Sequence, residues 1–354
     1  MMKKRLMVLA FAGVLAVGLS SCGKKEVSSN HVQSVTSETG AETSISEGET
    51  PDLSEEQPEQ VELPESEEVQ GDISQNTEDT QTQEPEQEAT QDNSSQEPAQ
   101  SAPVSYADRQ EIYLDGSWQY ADHSAIHSGA AVMYKASGNR KEIVVGVNAG
   151  HGTSGGSSAK TLCHPDGSAK TTGGSTAAGA TKATAVSGGM TFNDGATESS
   201  VTLRMAEILR DKLLAAGYDV LMVRDGSDVQ LDNVARTVIC NNVADCHISL
   251  HWDGDGLSYD KGCFYISVPD GIKGMEPVAS HWKQHNALGA SLVDGLRGQG
   301  CKINGGGSMS IDLTQTSYST IDIELGNACS DHSDGTLNNQ AEGLLQGIKN
   351  YFGK

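Results

Sequence analysis

Aromatic residues are absent from Gly23 to Ser105, and in the same stretch only Lys24 and Lys25 stand against 21 Asp and Glu. A segment without rings or aliphatic runs buries too little apolar surface to offset the entropy of ordering it. Residues 23–105 are therefore expected to be a disordered acidic linker rich in Glu, Gln, Ser, Thr and Pro. Coil statistics give such a segment an end-to-end distance of roughly 50 Å, which charge repulsion would extend. Basic residues are scarce throughout, 24 Lys and Arg against 48 Asp and Glu. No basic patch is left, which argues against nucleic acid as a partner. Long apolar runs are missing as well. The one that exists, Leu6 to Val17, is too short to cross a bilayer.

What is present around that run sets a compartment. It follows the basic Lys3, Lys4 and Arg5 and leads to Leu19-Ser20-Ser21-Cys22, the layout of a signal peptide over residues 1–22. The Leu-Ser-Ser-Cys ending resembles a bacterial lipoprotein lipobox. The resemblance implies a lipidated Cys22, export, and anchoring to the outer face of the cell membrane within the cell envelope. Six further cysteines, Cys163, Cys240, Cys246, Cys263, Cys301 and Cys329, allow disulfides in an exported domain or equally remain buried thiols. Their state stays open at this point, as does the oligomeric state.

From Tyr106 the composition becomes globular. Residues 106–141 read as a short β-rich lead-in, with strand-like pieces at Glu111–Leu114 and Ala131–Tyr134. Residues 142–354 then alternate. Strands are expected at Ile143–Val147, Asp219–Arg224, Cys246–Leu250, Cys263–Val268 and Thr320–Glu324. Helices are expected at Glu198–Ala216, Asn233–Asn242, Val278–Leu296 and Leu337–Tyr351, from apolar residues at three- and four-residue spacing. Alternation of this kind implies an α/β fold, an open, mostly parallel twisted sheet with helices on both faces.

Four residues sit where such a sheet places its chemistry. His151 follows the first of these strands, His251 ends the third, Glu324 ends the last, and Glu198 opens a helix. Ligands of open α/β sheets bind beyond the carboxyl ends of the strands. Two imidazoles and a carboxylate with an open position have the composition of a catalytic zinc site, and a spare carboxylate can serve as its acid and base. Residue types alone would equally suit any zinc peptidase or deacetylase.

Longer motifs narrow this. Asn148-Ala149-Gly150-His151-Gly152 resembles the opening motif of the zinc-dependent N-acetylmuramoyl-L-alanine amidases, and Gly195-Ala196-Thr197-Glu198 their second. Val223-Arg224-Asp225, Asp228, Leu231, Arg236 and Asn241, followed by Ala244 to His251, look like their longest signature. Ile321 to Asn327 resembles their catalytic-glutamate strand. The resemblance implies Zn²⁺ on His151, Glu198 and His251, with Glu324 catalytic. It also implies peptidoglycan as substrate, cut between the muramic acid lactyl group and the L-alanine of the stem peptide. A non-catalytic wall-binding lipoprotein and a zinc peptidase of stem peptides remain alternatives, separable by their products.

The departures are specific. The family usually has Asp-Pro where this chain has Asn148-Ala149, and Phe where it has Asn327. Trp252-Asp253 replace small residues after the third ligand position and are expected to reshape the substrate groove. The interval before Glu198 carries an insert at about 153–195, rich in Gly, Ser, Thr and Ala. It reads as a surface loop or short hairpins near the metal that line or cover the groove. His281 and His285 share helical i,i+4 spacing, but Trp282-Lys283-Gln284 between them supply no glutamate, so both are expected on a helix surface.

Overall fold

The computed structural model describes residues 105–313, 317–318 and 320–354; Cys22 and nearly all of the 23–105 linker lie outside these. The strands are β1 (Glu111–Tyr113), β2 (Ala130–Tyr134), β3 (Val144–Ala149), β4 (Lys160–Leu162), β5 (Lys182–Thr184), β6 (Asp219–Met222), β7 (Cys246–Asp253), β8 (Cys263–Ser267), β9 (Ile303–Ser310) and β10 (Ile321–Asn327). The helices are α1 (Glu198–Ala215), α2 (Asn233–Val243), α3 (Val278–Gly298) and α4 (Asp334–Phe352). Eight strands form one sheet in the order β1-β2-β6-β3-β7-β10-β8-β9, and β4 and β5 pair separately. The central β6, β3, β7 and β10 are mutually parallel, while β1, β2 and β8 each meet an antiparallel neighbour.

Period-two alternation decides which helix covers which face. In β6, Val220 and Met222 join Met205 and Leu209 of α1, with α3 and α4 in the same core. Leu221 of the same strand, and Val223 after it, meet Ala235 and Ile239 of α2. Helices therefore lie on both faces. Among the described residues no helix is long and apolar enough to cross a membrane.

The lead-in is tied to this sheet by buried carboxylates. Asp232 caps α2 through Ala235 N–H and accepts from Ser124 Oγ and the Ala125 and Ile126 N–H groups. Asp219, 1% exposed, accepts from Lys135 Nζ at 3.0 Å, Arg140 Nε at 3.2 Å and Ala136 N–H at 2.9 Å. Burial alone would raise the Asp219 carboxyl. Arg140, Ala136 and Lys135 outweigh it and hold the group below the usual carboxylate range. Asp219→Asn should cost about 2–3 kcal/mol at neutral pH, the worth of hydrogen bonds to a charged group. A lowered folded pKa stabilises above the unfolded value of about 3.9, and that contribution is lost as the pH falls through the folded value. Denaturant unfolding of both proteins should thus show the gap at pH 7 and its closure in acid; a gap that persists in acid would contradict this origin.

Two local expectations are corrected. β7 runs on past His251 to Asp253 and β10 past Glu324 to Asn327, so both residues sit inside strands, kept there by β7–β10 pairing that reaches Asn327↔Asp253. His285 is 8% exposed, not on the surface; its Nε2 lies 2.9 Å from Ile266 O, and burial pushes its pKa down to about 4. The insert contains the short antiparallel β4–β5 pair and is anchored to the rest of the domain. Within it His164 is wholly buried and meets Asp312 at 2.9 Å, and Ser317 Oγ donates to Cys163 O. All six cysteines of the domain are free thiols.

Candidate metal centre

β3 ends at Ala149, and the chain turns through Gly150 to His151, which adopts φ +65°. A left-handed histidine costs free energy that its surroundings must offset. Two buried guanidinium groups do so. Arg236 donates to Ala149 O and His151 O, and Arg224 to Ala149 O, Gly150 O and Ser199 O. Gly150 is required for a different reason: a Cβ there would stand 2.3 Å from the His251 ring.

The three donors converge. His151 Nε2 lies 2.8 Å from Glu198 Oε1, His251 Nδ1 lies 3.1 Å from the same oxygen, and the two nitrogens are 3.1 Å apart. Bonds of about 2.0–2.1 Å at tetrahedral angles would separate ligand atoms by about 3.3 Å, so the set is close to the spacing a small cation imposes. Among the described residues this is the one group of three or more His, Cys, Asp or Glu placed to hold a metal ion.

Each donor is oriented from behind. His151 Nδ1 faces Ser187 O at 2.9 Å, which makes Nδ1 the protonated nitrogen and leaves Nε2 a lone pair aimed at the cluster. Glu198 Oε2 accepts from Met190 N–H at 2.8 Å, and Oε1 from Trp252 N–H at 3.0 Å. Burial would raise the Glu198 carboxyl, but the adjoining His151 and His251 rings outweigh it and hold it below the usual carboxylate range. Burial likewise opposes charge on His251, yet Glu198 carries its pKa up to about 9. The site thus draws positive charge to its centre.

Glu324 stands beside this group, paired in register with His251 across β10 and β7. Its Oε2 is buried without a hydrogen-bond partner, and burial, with Glu198 and Asp253 nearby, raises its pKa well above the usual value despite the opposing His251 charge. A carboxylate placed beside the converging donors can serve as both base and acid. A cavity of about 420 Å³ opens elsewhere, beside the amino-terminal ends of β7 and β10, and none of the four residues lines it.

A family described as N-acetylmuramoyl-L-alanine amidase matches residues 145–347, more than half the chain. The chain belongs to that family. The amidase therefore hydrolyses the N-acetylmuramoyl-L-alanine amide of peptidoglycan. The crystal structure of the N-acetylmuramyl-L-alanine amidase Ami1 of Mycobacterium smegmatis matches 61% of this chain and 99% of its own, at 17% identity and TM-score 0.51, and shows the same fold. The apo Ami1 of Mycobacterium abscessus matches over 60% and 99% at 19% identity and TM-score 0.47. The amidase AmiC2 of Nostoc punctiforme matches over 61% and 100% at 17% identity and TM-score 0.44. No curated protein sequence matches the amidase.

The structure brings together all four residues singled out in the sequence. Sequence reading missed their supports: Ser187 and Met190 from the insert, Ser249 and Asn148 beneath His251, and the carbonyl-holding roles of Arg224 and Arg236. The two arginines lie in the quoted signature, so the signal was present without its meaning. Trp252 lies in the core, 2% exposed, and its backbone N–H donates to Glu198 Oε1. Asn327 is buried and donates to Asp255 and Tyr259 O.

Proposed function

We propose that the amidase is a zinc enzyme whose ligands are His151, Glu198 and His251 and whose proton carrier is Glu324. The observation that carries this is the convergence of three lone-pair donors at 2.8–3.1 Å beside a fourth carboxylate, on the adjoining strand, whose Oε2 is buried without a partner. Two imidazoles and one carboxylate are a donor set suited to catalytic zinc. When bound there, zinc would supply Lewis acidity toward the scissile carbonyl and a lowered pKa for water.

The chain's own residues do the rest. Ser187 O and Ser249 Oγ fix the two rings, and Met190 and Trp252 N–H groups fix the Glu198 carboxylate. Glu324 takes the proton of the attacking water at its free Oε2 and returns it to the nitrogen of L-alanine as the amide breaks. An amine leaves as a neutral group only with that proton, so the three ligands need the fourth acid. We further propose export and lipidation at Cys22, which would hold the enzyme to the outer face of the bacterial cell membrane; this rests on Lys3 to Cys22 alone.

Digestion of purified peptidoglycan tests the reading. New alanine amino termini and stem-free glycan are expected, abolished by a zinc chelator and restored by Zn²⁺. Release of a terminal amino acid would mark a peptidase instead, and binding without products a non-catalytic protein. Turnover unchanged by thorough chelation would remove the zinc assignment.

A further inference from the structure

Beneath the candidate metal centre lies a polar chain whose last member has no partner. Arg236 Nη1 donates to Asn148 Oδ1 at 3.1 Å. A guanidinium only donates, so the Asn148 oxygen must face it and Asn148 Nδ2 must face Ser249 Oγ, 3.2 Å away. Ser249 Oγ is thereby an acceptor. On its other side stands His251 Nε2 at 3.1 Å. When Nδ1 of that ring offers its lone pair to a metal, Nε2 carries the hydrogen and donates it to Ser249. Both acceptor positions of the hydroxyl are then occupied, and its own hydrogen needs an acceptor. Directly across in the sheet, Asp322 of β10 pairs in register with Ser249 of β7. Asp322 is 1% exposed and neither carboxylate oxygen has a full hydrogen-bond partner; burial pushes its pKa up to about 6, against the opposing pull of His251 and Ser249. One unplaced hydroxyl hydrogen and one orphaned buried carboxylate are neighbours.

We propose that Asp322 is a positioning residue for the ligand His251, acting through Ser249 in a His251–Ser249–Asp322 relay. This rests on the metal reading of the His151, Glu198 and His251 centre. The relay sets the ring's tautomer. With Asp322 accepting, the Ser249 hydroxyl points away from His251, Nε2 stays protonated and Nδ1 presents a lone pair. Without that acceptor, the hydroxyl is free to turn and donate to Nε2, which favours the hydrogen on Nδ1, where it blocks the ligand position. Carboxylates that orient ligand histidines typically change metal affinity about 10–100-fold when removed.

The test is Zn²⁺ affinity of the full chain, read by competition with a chelator, beside the thermal stability of the metal-free protein. Asp322→Asn should weaken Zn²⁺ binding about 10–100-fold. The metal-free protein should be at least as stable as before, because a poorly satisfied buried charge has been removed. Asn148 touches the same hydroxyl, so adding Asn148→Asp to Asp322→Asn returns a carboxylate to Ser249 and should recover most of the affinity. Unchanged affinity in Asp322→Asn would overturn the relay, as would a loss that Asn148→Asp fails to restore. If Asp322→Asn does not fold, Ser249→Ala carries the test: a similar loss of affinity is expected, and full affinity would overturn the relay. Failure of the unaltered chain to bind Zn²⁺ would overturn the metal reading itself, a result distinct from any of these.

Discussion

Glu324→Gln is expected to leave Zn²⁺ binding intact and to lower turnover on purified peptidoglycan by about 10²–10⁴-fold, the usual worth of a positioned general acid and base. The substitution keeps the shape of the side chain and removes only its ability to exchange a proton. Glu324 is outside the converging donors, which close around His151, Glu198 and His251 without it, so metal content should not change. Its position is set by β10–β7 pairing opposite His251, which an amide should not disturb. The loss should fall on kcat, since the proton moves only as the amide breaks, while KM stays near its original value. A loss of that size is about 2.7–5.4 kcal/mol of transition-state stabilisation. Metal analysis and steady-state kinetics on one preparation check both halves. Near-normal kcat with full metal would show that another group carries the proton, and loss of metal would make Glu324 a ligand.

The difference between what the sequence disclosed and what it concealed follows from the range of the forces involved. Periodicity reports burial within one element, so α1, α2, α3 and α4 were legible to within a few residues. The parallel core strands were legible too, because each is a short apolar run between turn signals. His151, Glu198, His251 and Glu324 were legible because each stands at or near the end of such an element. β9 was not. Its sequence, Ile303-Asn304-Gly305-Gly306-Gly307-Ser308-Met309-Ser310, has almost no strand-forming side chains, and its place comes from backbone pairing with β8. The supports of the site were hidden for the same reason. Ser187 and Met190 act through backbone groups, which carry no residue signature. Asp322 gains its setting only when β10 docks in register on β7. His285 was misplaced because helical spacing does not distinguish a surface from a face packed under Ile266.

Gly189→Ala should disable the enzyme, by about 10²-fold or more in kcat/KM, without unfolding it. As a Gly-, Ser-, Thr- and Ala-rich insert, residues 153–195 read as a loop or short hairpins lining or covering the groove, yet the final limb is part of the centre. Ser187 O fixes the His151 ring and Met190 N–H holds Glu198. Between them Gly189 adopts φ +82°, and a Cβ there would lie 2.8 Å from His151 Cδ2 and 3.0 Å from Glu198 Oε2. Alanine in a left-handed conformation costs about 1–2 kcal/mol, which a domain of this size tolerates. The methyl group cannot be accommodated without moving a ligand, and displacement of about 1 Å at a reacting centre can cost 10²-fold in rate. Gly188 is the control, because a Cβ there meets nothing within 4 Å. Gly188→Ala should retain activity and metal, so the pair separates ligand displacement from a general stiffening of the insert. The same geometry predicts that replacing 157–190 with a short bridge would strip the supports of both ligands and lose the metal. Full activity and metal content in Gly189→Ala would show that this limb yields freely, and the insert would then be a covering loop and not a part of the site.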